Sequence, residues 1–69
     1  MTFRDTIDAQ ATLAAYREGA MHHAREYLKT APSFTAWRAM HKRQFKDCLA
    51  KIRIAQAYLD ATHTEEKAA

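Results

Sequence analysis

Residues Lys29–Cys48 read KTAPSFTAWRAMHKRQFKDC and hold the chain's only proline, only tryptophan and only cysteine, together with its densest run of positive charge. Two architectures could contain such a stretch. It could be the turn and recognition helix of a nucleic-acid-binding helix-turn-helix, or the tip of a helical hairpin that offers aromatics to a protein. Pro32 disfavours helical geometry at the residue before it, so a helix arriving from the N-terminal side ends here. Ser33 has the short side-chain acceptor that suits an N-cap for the helix that follows. Helix-turn-helix units use short helices around a turn that often holds glycine. Here the turn holds proline, and helical patterning runs far on both sides of it. The hairpin is the expected fold.

Upstream, Ile7, Ala14, Met21 and Leu28 fall on a strict seven-residue repeat, with Phe3, Ala24 and Ala31 flanking the same stripe. A helix is predicted over residues 3–31, capped by Thr2 or Asp5, with Asp5 and Asp8 suited to the positive end of its dipole. Downstream, His41, Phe45, Cys48, Ile52, Ala55 and Leu59 alternate by four and three, a second seam that Phe34 and Trp37 extend toward the turn. That helix is predicted over 34–62, after a turn at 30–33, with 63–69 as a frayed charged tail. Helices joined by so short a turn must lie antiparallel. The fold class is therefore all-α, a single helical-hairpin domain over residues 1–69.

Each helix carries a wider apolar arc than one neighbour can cover. Leu13, Tyr16, Ala20 and Tyr27 widen the first stripe, while Met40, Ile54 and Tyr58 flank the second seam. A chain of 69 residues buries only about 60% of its unfolded surface and commonly needs a disulfide, a metal or a second copy of itself. The lone Cys48 excludes an intrachain disulfide, and one free thiol suits a reducing cytosol, so a cytoplasmic location is expected. The expected staple is a homodimer forming a four-helix bundle, with Ile7, Ala14, Met21, Leu28, His41, Phe45, Cys48, Ile52, Tyr58 and Leu59 as its dimer and core residues. No apolar run approaches the ~18 residues of a membrane span. The opening MTFRDTIDAQ, with two acids and no apolar core region, does not read as a secretory signal.

Charge divides the chain in two. Residues 1–31 are balanced, whereas 38–53 carry Arg38, Lys42, Arg43, Lys46, Lys51 and Arg53 against Asp47 alone. Arg38, Lys42 and Lys46 recur every four residues and are expected to face outward together. They suit an anionic partner, either a phosphate backbone or an acidic protein surface, or else form a solvated face. No aromatic side chains interleave with them to stack bases. Trp37 with Arg38 is the composition of a protein-binding hot spot, and Phe34 stands one turn before it. Tyr16 and Tyr27 form a second apolar patch with wet ends. The contact residues expected from this pattern are Trp37, Arg38, Tyr16, Tyr27, Phe34, Lys42 and Lys46.

Catalytic chemistry finds no foothold. His41 is two turns from Cys48 on one helix face, too far to act as its base. The sequence has no glycine-rich phosphate loop, and a hairpin has no deep pocket. No enzyme activity and no cofactor are expected. Glu18, His22 and Glu26 are spaced four apart with His23 adjacent, which reads as ordinary helix-surface pairing rather than a metal site. His41 reads as a packed core histidine. Gly19 costs about 1 kcal/mol within a helix relative to Ala, and marks either a soft point or a close approach.

A hairpin of Phe3–Ala31 and Phe34–Thr62 around a Pro32-Ser33 bend resembles, in length and architecture, the small anti-activator proteins of Pseudomonas phages that inhibit quorum sensing. The resemblance covers nearly the whole chain, including SFTAWRAMHKRQF after the bend. It implies a dimeric, non-enzymatic inhibitor in the host cytosol. The implied targets are a quorum-sensing transcription activator and, in some cases, the type IV pilus assembly ATPase. Contact would run through surface aromatics and the second helix's charges. The rival reading is a small dimeric nucleic-acid-binding protein using Arg38, Lys42, Arg43, Lys46 and Arg53.

Overall fold

The structure is a computed structural model that describes residues 2–68, with side chains described through His63. It consists of α1 (Thr6–Lys29) and α2 (Thr35–Ala68), packed along their length as a hairpin. Asp5 is the N-cap of α1: its carboxylate accepts the Asp8 backbone N–H at 2.8 Å, while Asp8 in turn accepts the Arg4 N–H at 3.1 Å. Four free N–H groups at a helix start require such acceptors. At the other end, Thr30 leaves the helix in extended geometry, and both its N–H and its hydroxyl donate to the Glu26 carbonyl.

The bend falls at Pro32-Ser33 as the sequence predicts, but α2 starts one residue later than the Ser33 cap implies. The Phe34 N–H closes the turn on the Ala31 carbonyl, and the Phe34 carbonyl accepts the first helical bond from the Arg38 N–H. At its far end α2 runs on through Ala68, beyond the Thr62 limit expected from the sequence. No glycine or proline follows Pro32, and the stretch EEKA is made of good helix formers, so nothing local stops it.

On α2 the seam is the expected one: Cys48 and Ala55 are buried, and His41, Phe45, Ile52 and Leu59 are half-buried. On α1 the structure overturns the expected stripe as a hairpin core. Ile7, Met21 and Leu28 are 73%, 57% and 78% exposed and Ala14 is exposed with them. The face that meets α2 is instead Ala9, Leu13, Tyr16, Ala20, His23 and Tyr27, which also alternates by four and three. The physical reason is backbone distance. Ala9 and Ala20 are small, and Gly19 carries no side chain at all: a Cβ placed there would stand 3.3 Å from Cys48 Sγ. Gly19 thus marks a close approach, and it faces α2.

The core is correspondingly thin. Ala9, Leu13, Ala20, Cys48 and Ala55 are its buried apolar residues among those described, and no large side chain is fully enclosed. Phe3, outside α1, folds back so that its ring lies 5.1 Å from that of Tyr58 and covers the open end of the seam. The Cα radius of gyration is 15.4 Å, against the ~11 Å expected of a compact chain of this length, and the molecule measures 55 × 17 × 14 Å. It is a single layer of two helices.

Candidate functional site

The candidate site is the surface from the hairpin tip to mid-length, where the apolar and basic residues of both helices meet. The structure sorts the expected contact residues into two groups. Phe34 and Trp37 are exposed, at 58% and 59%, and do not extend the seam as the sequence suggested. Lys42 and Lys46 are exposed as well.

Tyr16, Tyr27 and Arg38 are different: they are half-buried in the seam. The Arg38 guanidinium carbon lies 4.3 Å from the Tyr27 ring centroid, a cation–π stack that ties the first turn of α2 to the last turns of α1. Arg38 Nε is buried, with no hydrogen-bond partner among the described residues. The expectation that Arg38 faces outward and that the two tyrosines form a free patch is therefore corrected. The seam passes through positions 38, 41 and 45, and a flat guanidinium lying over an aromatic face can be accommodated there. Midway along, Lys51 reaches across to Tyr16, 5.4 Å from its centroid, and pairs with Asp47 at 2.9 Å. That pairing, hydrogen bond first and charge second, holds the Lys51 ammonium above its ordinary pKa, with Tyr16 adding in the same direction.

Beside the seam near the tip lies an open apolar groove of about 430 Å³. Tyr27, Leu28, Phe45 and Leu49 supply its apolar lining, and Lys42 and Lys46 contribute charge to its wall. His23 and His41 stand in the same wall, Nδ1 facing Nδ1 at 3.0 Å. One ring must donate its Nδ1–H to the lone pair of the other. The His22 ring packs edge-on against His23. A second, polar hollow of about 310 Å³ lies toward the opposite end, among Thr6, Gln10, Leu59, Asp60, Thr62 and His63.

Sequence reasoning missed the His23–His41 pair because it assigned His41 to the seam and left His23 beside a surface group. The correct phase of α1 was the available signal: once Ala20 and Tyr27 are on the seam, His23 is between them and must meet α2. Glu18, His22, Glu26 and the other acids and histidines form no cluster of three or more metal-capable groups among the described residues. Cys48 is a buried free thiol whose sulfur faces Gly19, where an added Cβ would stand 3.3 Å from it. No described helix is long and apolar enough to cross a membrane.

Fold and surface together define the chain as an all-helical two-helix hairpin with a groove at its tip. No family model, curated protein or solved structure matches it.

Proposed function

We propose that this chain is a non-enzymatic protein-binding inhibitor that works as a homodimer in the cytoplasm. The observation that carries this reading is the balance of covered and uncovered apolar side chains. The hairpin buries mostly alanines, yet Ile7, Met21, Leu28, Phe34, Trp37 and Ile54 stay open to water. Ile7, Ala14, Met21 and Leu28 repeat every seven residues along α1, a stripe about 32 Å long at 1.5 Å per residue. By helical-wheel phase this stripe lies about 130° round from the seam on average, and its tip-end member Leu28 also lines the groove beside α2. A regular stripe of that length is what a second copy would cover in a four-helix bundle, and a thin single layer gains most from it. Phe34 and Trp37 at the tip then remain for a target protein, with Lys42 and Lys46 beside them for acidic groups on it. The targets implied by the resemblance to phage anti-activators are a quorum-sensing transcription activator and the pilus assembly ATPase.

The test has two arms. Light scattering on the purified chain should give a dimer that Met21→Glu or Leu28→Glu converts to a folded monomer; a folded wild-type monomer at tens of micromolar would refute the bundle. Binding to a purified quorum-sensing activator should be lost with Trp37→Ala while helicity is kept. If the chain instead binds duplex DNA with a steep loss of affinity between about 50 and 200 mM salt, and removing the charges of Lys42, Arg43, Lys46 and Arg53 abolishes this, the nucleic-acid reading replaces the one proposed. Two cations of that basic segment are already engaged: Arg38 with Tyr27, and Lys51 with Asp47.

A further inference from the structure

We propose that the groove beside the seam is a binding site for a medium-chain fatty carboxylate. This ligand is distinct from the target protein proposed for the tip, and the lining of the groove is what selects it. Ala24, Tyr27, Leu28, Phe45 and Leu49 make the walls almost wholly apolar, and no acidic residue lines them. His23 and His41 add little polar demand, because their Nδ1 atoms satisfy each other at 3.0 Å. At about 430 Å³ the groove falls within the range of small-ligand sites, roughly 300–1,000 Å³. With roughly 30 Å³ for each water-sized group, it has room for a chain of about ten carbons and its carboxylate.

Charge selects the headgroup. Lys42 and Lys46 stand in one wall of the groove, about 6 Å apart along the α2 axis. The stem of a lysine can lie along apolar surface while its ammonium stays in water. Lys29 pairs with Glu26 and Lys51 with Asp47, whereas among the described residues no ion pair holds Lys42 or Lys46. No acid stands three or four residues from either of them, so α2 offers them no partner of its own. Two unpaired cations beside an apolar trough complement a ligand with an anionic head and an apolar body. The two oxygens of a carboxylate can meet both ammoniums while the alkyl chain lies against Tyr27, Phe45 and Leu49. A neutral amphiphile would leave the cations unanswered, and a cationic one would be repelled.

Sodium decanoate is the probe, titrated below its micelle-forming concentration into the full chain and followed by amide NMR shifts. The expected result is saturable binding with shifts centred on residues 23–28 and 41–49. From octanoate to decanoate each added methylene should tighten binding about twofold, less than full burial would give because the groove is open on one side. Lys42→Gln with Lys46→Gln changes two exposed side chains, so the fold should persist, as circular dichroism will show. That variant should weaken decanoate binding about five- to tenfold, the size of two exposed ion pairs, and leave decanol binding unchanged. Decyltrimethylammonium binding as tightly as decanoate overturns the proposal, as does a double variant that binds decanoate like wild type. Shifts centred on Phe34 and Trp37 also overturn it. So does the absence of any shift, the result expected if a second copy resting on Leu28 fills the groove instead.

Discussion

Gly19→Ala is a sensitive probe of the packing that chose this hairpin's seam. Two effects oppose each other at that position. In a helix interior alanine is favoured over glycine by about 1 kcal/mol, because glycine loses more backbone entropy on folding. Against this, the new Cβ would stand 3.3 Å from Cys48 Sγ, tighter than ordinary van der Waals contact. Cys48 is only 7% exposed, so its sulfur has little room to yield the few tenths of an ångström required. Overpacking of this small kind offsets much of the helix gain, and Gly19→Ala alone should change stability by less than about 0.5 kcal/mol. In a Cys48→Ala background the sulfur is gone and the added methyl occupies part of the vacated space. The substitution should then stabilise by about 1 kcal/mol, giving a coupling between the two sites of similar size. For a domain this small that corresponds to a Tm difference of about 4–8 °C. Thermal and urea melts of the four chains, all at one protein concentration because association shifts apparent stability, measure the cycle. An equal gain from Gly19→Ala in both backgrounds would refute the close approach as the reason for glycine at this position.

Three further outcomes follow from the same contacts. Arg38→Ala should lower stability by about 1 kcal/mol through loss of the Tyr27 stack, whereas Trp37→Ala should leave the melting curve within about 0.5 kcal/mol of wild type; equal losses in the two variants would contradict the placement of Arg38 in the seam. Ala55→Leu, at a position with no exposed surface, should destabilise by about 1–3 kcal/mol, read as a fall in urea midpoint. The pH dependence concerns Lys51, whose folded pKa is raised above the ordinary 10.5 chiefly by the hydrogen bond to Asp47. A raised lysine pKa adds stability that is complete below the ordinary value and disappears as pH climbs through the folded one. Melts between pH 9 and 12 should therefore fall more steeply for wild type than for Asp47→Asn, and identical slopes would count against the pairing.

How far the sequence could be read differs between the two helices, and the reason is physical. On α2 the four-and-three alternation of His41, Phe45, Cys48, Ile52, Ala55 and Leu59 offers one coherent seam, and that seam is the one packed. On α1 two seven-residue patterns coexist. One holds Ile7, Met21 and Leu28 and looks stronger because its side chains are larger; the other holds Ala9, Leu13, Tyr16, Ala20, His23 and Tyr27. Hydrophobic ranking favours the first, but packing against a single neighbour rewards close approach, which small residues permit and large aliphatics prevent. Leu13, Tyr16, Ala20 and Tyr27 were legible as an apolar flank, but alanine and glycine carry little apolar signal, so a count of hydrophobic residues could not show that this flank, and not the Ile7 stripe, meets α2. The tyrosines compounded this, since an amphipathic ring can serve at an exposed patch or beneath a cation with equal ease.

The displaced stripe bears directly on function. A sequence that encodes two apolar faces on one helix, and whose smaller-residue face meets its own α2, leaves the larger-residue face for something else. Exposed large apolar side chains such as Ile7, Met21 and Leu28 on one seven-residue repeat cost solubility, and a monomer gains nothing from aligning them. The bend strengthens the point. Pro32-Ser33 and the Thr30 cap fix where α1 ends, and Arg38 over Tyr27 locks the first turn of α2 onto it. The tip therefore presents Phe34 and Trp37 from a braced turn, separate from the α1 stripe. Two apolar surfaces stand on one thin hairpin, one extended and periodic and one compact and aromatic, and the proposed function assigns the first to a second copy and the second to a target.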